Sequence, residues 1–253
     1  MRYIMDTNIW VDVRRGSVTC GELRRKTDIG IALAPPVIIE LVRGVIKGGG
    51  QNFSQDQALF RCMAQPGTEI LPLPRVFVTK VLWNIPGGAS GVVPEDYKQL
   101  IDSLIDSKSF TEFLAKTEKR GSQWQRMSEI HSIHEGVLEK ELRSLEKLAE
   151  GASVKAIAVN LARLYKYGGL LPDPESFERN LSAAIEFLRS SILQVRNGAK
   201  PRKNDRGLYV DQQLFFYLAN PALTIVTKEN FSGEIKRSVQ AARIINFEAF
   251  RRI

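Results

Sequence analysis

Four acids stand where a carboxylate could do chemistry. Asp6 follows the short apolar run Tyr3-Ile4-Met5 and is itself followed by Thr7-Asn8. Glu40 interrupts the apolar stretch Val37-Ile38-Ile39-Glu40-Leu41-Val42. Asp211 sits in the helical pattern of residues 208–219, and Glu229 closes Thr227-Lys228-Glu229 after the β-branched run Leu223-Thr224-Ile225-Val226. Carboxylates brought together repel one another, so their pKa values rise unless a cation neutralises them. Mg2+ and Mn2+ are hard ions that take carboxylate oxygen and water. Ordinary roles compete with this one. A residue at the Asp6, Thr7 or Asn8 position can cap the helix that comes next. A single acid in an apolar helical turn, such as Glu40, is ordinarily solvent-facing or paired.

These residues need a scaffold, and the hydrophobic pattern supplies one. Residues 3–5 read as a buried strand feeding a helix that runs to about Arg15 and stops at Gly16. A short helix over 21–26 precedes a second strand over 29–34. Pro35-Pro36 opens the next helix, since proline is tolerated in a first turn, and the glycines at 48–50 end it. A helix over 54–65 with Ser54 as its cap, a strand over 68–73 and a helix from Pro74 to Trp83 come next. The break Pro86-Gly87-Gly88 marks a boundary, beyond which residues 94–196 keep a helical period throughout. A basic loop over 197–207, the helix over 208–219, a strand over 223–227, a helix over 233–240 and a strand over 243–247 complete the chain.

With the long helical stretch set aside, strands and helices alternate. That pattern predicts a three-layer α/β/α domain on a central parallel sheet, with an inserted all-helical subdomain. The expected division is 1–84 and 200–253 for the sheet domain and 85–199 for the insertion. Four acids from four elements then converge at the carboxyl edge of one sheet, where open α/β sheets bind ligands.

Composition narrows the partners. The 253 residues are 43% hydrophobic and 25% charged, enough apolar material for a core without staples. Cys20 and Cys62 make no disulfide framework, so the expectation is two thiols and a reducing cytoplasm. No leader peptide is expected, because Asp6 interrupts the first apolar run, and no stretch is long and apolar enough for a membrane. The net charge of +8 is uneven: residues 95–199 carry fifteen Lys/Arg against sixteen Asp/Glu, so the excess lies in the two ends. A positive field favours polyanions such as nucleic acid. Lys200, Arg202, Lys203 and Arg206 crowd the loop just before Asp211, where cations contact phosphate or merely face solvent. His131 and His134, one helical turn apart, do not match a metalloprotease motif and read as an ordinary helix face.

On these residues the chain resembles the PIN-domain nucleases, which include the toxins of many bacterial toxin–antitoxin modules. The matching positions are Asp6-Thr7-Asn8 after the first strand and Glu40 in the second helical region. Asp211 in a D-x-x-apolar helix start and Thr227-Lys228-Glu229 after the next strand complete the set, with Asp211 and Glu229 18 residues apart. The resemblance covers residues 1–84 and 204–253; the helical stretch between them is unlike a minimal PIN domain. It also departs at one position, where Glu229 stands in place of the usual Asp or Asn. The longer side chain shifts the outer metal position or reaches it through water.

The resemblance implies a PIN-like sheet with Asp6, Glu40, Asp211 and Glu229 as catalytic acids and ligands of Mg2+ or Mn2+. Asp205 is a further ligand candidate, and Thr7, Asn8 and Thr227 would hold geometry. One or two such ions activate a water for in-line attack on a phosphodiester. The implied activity is endonucleolytic cleavage of RNA leaving 5′-phosphate and 3′-hydroxyl ends. Expected partners are RNA, with single-stranded DNA as the alternative, an antitoxin protein and a second copy of the chain. Two other readings stay open: a non-catalytic RNA-binding PIN-like protein, and a nuclease acting on DNA or branched structures. Replacing Lys200, Arg202, Lys203 and Arg206 together by Ala should weaken RNA binding. It should also lower the slope of log affinity against log salt by about 0.7 for each phosphate no longer neutralised. Titrating a fluorescent RNA oligonucleotide across salt concentrations checks this; an unchanged slope means a merely solvated loop.

Overall fold

The computed structural model describes residues 1–24, 30–83, 94–119, 121–146, 154–165, 168–196, 205–231 and 235–252. Among the described residues five strands form one all-parallel sheet: β1 (Arg2–Met5), β2 (Gly30–Leu33), β3 (Glu69–Ile70), β4 (Leu223–Thr227) and β5 (Ile244–Asn246). Their order is β3-β2-β1-β4-β5. The chain builds outward from β1 in one direction, then returns to β1's other side with β4. The gap between β1 and β4 is therefore the switch point, where the loops leaving the two strands diverge and leave a crevice. Every residue of β4 is buried, as expected of a strand covered on both faces.

The first five helices lie in the part of the chain that carries β1 to β3. They are α1 (Thr7–Arg14), α2 (Cys20–Arg24), α3 (Pro35–Lys47), α4 (Phe53–Met63) and α5 (Pro74–Trp83). The predicted helical stretch is helical across most of its described residues: α6 (Pro94–Asp106), α7 (Phe110–Glu118), α8 (Gln123–Glu146), α9 (Val154–Leu164), α10 (Pro174–Asn180) and α11 (Ser182–Arg196). Then come α12 (Asp205–Phe216) and α13 (Phe247–Arg252). Described residues of 94–196 share the buried cluster of the sheet. Phe113 of α7 and Leu188 of α11 belong to the same buried cluster as Ile4 of β1 and Val226 of β4. Gly50, after α3, adopts a φ of +77°, and a Cβ there would run into the Phe110 ring, so the chain passes α7 only because this position has no side chain. Ser182 and the backbone N–H of Ala183 engage Ser238 and Gln240, fastening the start of α11 to the connection between β4 and β5.

Several boundaries differ from the sequence reading, each for a local reason. Helix α4 starts a residue early, so Ser54 lies inside it and Asn52 occupies the cap position without a side-chain bond. Helix α12 starts at Asp205 rather than Leu208, which places Asp211 mid-helix. The predicted helix over 233–240 is a series of turns where it is described, because Ser238 and Gln240 spend their polar groups on neighbouring elements. The final helix α13 is too short to announce itself by periodicity. The glycine-rich break over 86–91 and residues 197–204 lie outside the described residues.

The cysteine expectation is overturned outright. Cys20 of α2 and Cys62 of α4 form a disulfide, with Cα atoms 5.8 Å apart. Nothing in a 42-residue spacing reveals such a pairing; packing of α2 on α4 creates it. Arg24 reinforces the same junction by donating to the Cys62 carbonyl and to the Thr68 hydroxyl. Arg14 binds the buried Asp56 carboxylate at 2.5 Å, tying α1 to α4 as well. With both cysteines paired, cysteine content gives no support for a reducing cytosol. Among the described residues, no helix is long and apolar enough to cross a membrane. Closing a 42-residue loop stabilises the fold by about 4 kcal/mol in the chain-entropy picture. Urea unfolding should show a loss of about that size in Cys62→Ser; an unchanged midpoint would mean the bond contributes nothing.

Candidate active site

Asp6 caps α1 from the end of β1. Its Oδ1 accepts from the Thr7 backbone N–H at 2.6 Å. Its Oδ2 accepts from the Thr227 hydroxyl at 2.9 Å, across the switch point. Strand register makes this possible, because Met5 pairs with Val226 and the next residues are Asp6 and Thr227. Asp6 is only 2% exposed. The first oxygen thus caps α1, and the second faces β4.

Two more carboxylates stand around it. Thr7 donates its hydroxyl to Glu40 Oε2 at 2.5 Å, which ties α1 to α3. Asn8 donates its side-chain amide to Glu229 Oε1 at 3.0 Å, which ties α1 to the turn after β4. That turn is closed by the Glu229 N–H donating to the Thr227 hydroxyl at 3.0 Å, so Thr227 serves Asp6 and Glu229 together. Three consecutive residues, Asp6-Thr7-Asn8, therefore link the whole constellation. Glu40 is half-buried and Glu229 is exposed, so the cluster opens outward on the Glu229 side.

The electrostatics arise from this burial. Loss of water pushes the Asp6 carboxyl up to about 6. The Thr227 and Thr7 hydrogen bonds work against that rise, while the charges of Glu40 and Glu229 add to it. Burial also raises Glu40, opposed by the Thr7 hydroxyl and by Arg43 one turn along α3. A cation placed among these acids would relieve both penalties. The donor set consists of hard oxygens, which suits Mg2+ or Mn2+. Among the described residues no three His, Cys, Asp or Glu are gathered tightly enough to be one ligand set as they stand. The acids are joined instead through Thr7, Asn8 and Thr227.

Asp211 lies within α12. It lies one turn before Phe215 on the same helical face, and the Phe215 ring is 5.2 Å from that of Phe231, two residues past Glu229. Asp211 is half-buried there. Asp205 and Arg206 form the first turn of α12. Lys200, Arg202 and Lys203 lie outside the described residues. The sequence reading missed Asp12, whose carboxylate binds the Lys228 ammonium beside the site. A lone acid on a helix turn carries no signal until its partner is placed. His131, expected on an ordinary helix face, is 2% exposed, and its ring nitrogen lies 2.8 Å from the Tyr97 hydroxyl between α8 and α6, within the helical region. Searches of protein-family models, curated proteins and solved structures return no match to this chain.

The Asp6 shift has a signed consequence in chelator-treated protein. Below pH 3.8 both folded and unfolded chains carry the proton, and there is no penalty. As pH rises to about 6 the unfolded chain ionises first, so folding loses about 3 kcal/mol from this group. Chemical unfolding at pH 4 and pH 7 should show that loss in the native protein. In Asp6→Asn the contribution should vanish; an equal pH slope in both proteins would contradict the assignment.

Proposed function

We propose that this protein is a metal-dependent endoribonuclease of PIN type, with its active site at the β1–β4 switch point. The observation that carries the reading is the convergence of Asp6, Glu40 and Glu229 around the start of α1, each held by its own neutral donor. Thr227 positions Asp6, Thr7 positions Glu40, and Asn8 positions Glu229. The ordered motif Asp6-Thr7-Asn8, Glu40, Asp211 and Thr227-Lys228-Glu229 supports the same family resemblance.

Asp6, Glu40 and Glu229, with Asp211 from α12, would hold the divalent ion, and Asp205 is the further candidate. Bound there, Mg2+ or Mn2+ would supply a polarised water and charge stabilisation for phosphodiester hydrolysis. The chain's own residues set the conditions for it. Burial keeps Asp6 out of bulk water, and the paired hydrogen bonds fix both of its oxygens. The Asn8 amide donates to the exposed Glu229 carboxylate. These bonds hold the acids in one region, from which an ion would have to draw them closer to make a single ligand set. RNA is the proposed substrate, and the positive charge at the two ends of the chain suits a polyanion. The role of a toxin paired with an antitoxin belongs to the same proposal.

Manganese-dependent cleavage of labelled RNA and single-stranded DNA tests the reading. RNA should be cut, and Asp6→Asn and Asp211→Asn should each lower the rate by at least about a hundredfold while remaining folded. RNA binding without cleavage would favour a non-catalytic binder. Preference for DNA would favour a different nuclease class, and wild-type rates in both variants would place the chemistry elsewhere.

A further inference from the structure

Two consecutive residues after β4 are gripped by two successive turns of α1. Asn8 and Asp12 are four residues apart, so they share one face of the helix. Asn8 binds the Glu229 carboxylate, and Asp12 binds the ammonium of the adjacent Lys228. The same ammonium lies 5.4 Å above the ring of Phe247, a buried residue at the start of α13. Lys228 is thus held from two sides, by a carboxylate on α1 and by an aromatic face beneath it. The Glu229 N–H closes the turn onto Thr227. Glu229 itself is exposed, on a side chain with three rotatable bonds. A single hydrogen bond from Asn8, at the surface, competes poorly with water for such a side chain. An anchor on the neighbouring residue restrains the backbone from which it springs.

We infer that Asp12 and Lys228 are positioning residues whose ion pair fastens the turn after β4 to α1 and so holds the Glu229 carboxylate beside Asp6. The inference rests on the nuclease reading for its purpose, but the positioning can be read without it. Neither Asp12 nor Lys228 need touch substrate or metal; both act through Glu229.

The test uses the full chain and two readouts. In metal-free protein, the side-chain amide resonances of Asn8 report its bond to Glu229. In Asp12→Ala and in Lys228→Ala these resonances should move toward the position of a solvated amide. Calorimetric titration with Mn2+ should show about tenfold weaker binding in each. The double variant should be no weaker than either single one, and the exchanged pair Asp12→Lys with Lys228→Asp should restore both readouts. Glu22→Ala breaks the neighbouring ion pair with Arg251 and removes the same charge, and should leave both at wild-type values. An unmoved Asn8 amide, additive losses, or an equal effect of Glu22→Ala overturns the inference. If the wild type binds no Mn2+ while Asn8 responds as described, the positioning stands and the nuclease reading falls. If Mn2+ binds and Asn8 is unmoved, the nuclease reading stands and the positioning falls.

Discussion

A carboxylate buried between two parallel strands is the constraint on which the rest of this structure depends. Asp6 is placed almost out of reach of water, beside two other acids. Burying an ion costs free energy unless hydrogen bonds or an opposite charge offset it. Here the offset is local and partial: one backbone N–H and one threonine hydroxyl. The threonine bond matches the register of β1 against β4, since sliding either strand by one residue would turn Thr227 to the opposite face of the sheet. The backbone bond caps α1 and sets where it begins. The site and the central strand pair are therefore specified by the same interactions.

Helix α1 then becomes the element that organises its surroundings. Its first turn meets Glu40 and Glu229, its second meets Lys228, and its end meets Asp56 on α4. The disulfide between α2 and α4 prolongs that attachment beyond the end of α1. Past β4, Phe187 of α11 and Phe215 of α12 pack on Phe231, so the long helical region supports the turn that carries Glu229. Rigidity around the acids thus comes from three sources: a cross-strand hydrogen bond, a covalent and ionic clamp, and an aromatic cluster.

Much of this was legible in the sequence, for identifiable reasons. Asp6 and Glu229 stand just past short apolar runs, so strand periodicity placed both at one sheet edge. Glu40 was legible as an acid among apolar residues, and its partner Thr7 lay in the same motif as Asp6. The start of α12 was not legible, because Asp205-Arg206-Gly207 has the charge and the glycine of a loop, and only packing makes it helical. The pairing of Cys20 with Cys62 was hidden because it depends on how α2 meets α4, a junction with no local signature. Asp12 was hidden for the same reason. The turns over 235–240 imitate a helix in composition, yet the polar side chains of Ser238 and Gln240 are committed to other elements.

The central claim is that the buried, partly protonated Asp6 carboxyl is the heart of a cation site. Proton release on ion binding tests it directly, because an ion must displace whatever proton Asp6 holds. The measurement is calorimetric titration of the metal-free protein with Mg2+ in buffers of differing ionisation enthalpy, at pH 6 and at pH 8. With Asp6 raised to about 6, about half a proton from this group should be released at pH 6 and almost none at pH 8. Binding with no proton release at pH 6, or no binding at either pH, would contradict the account.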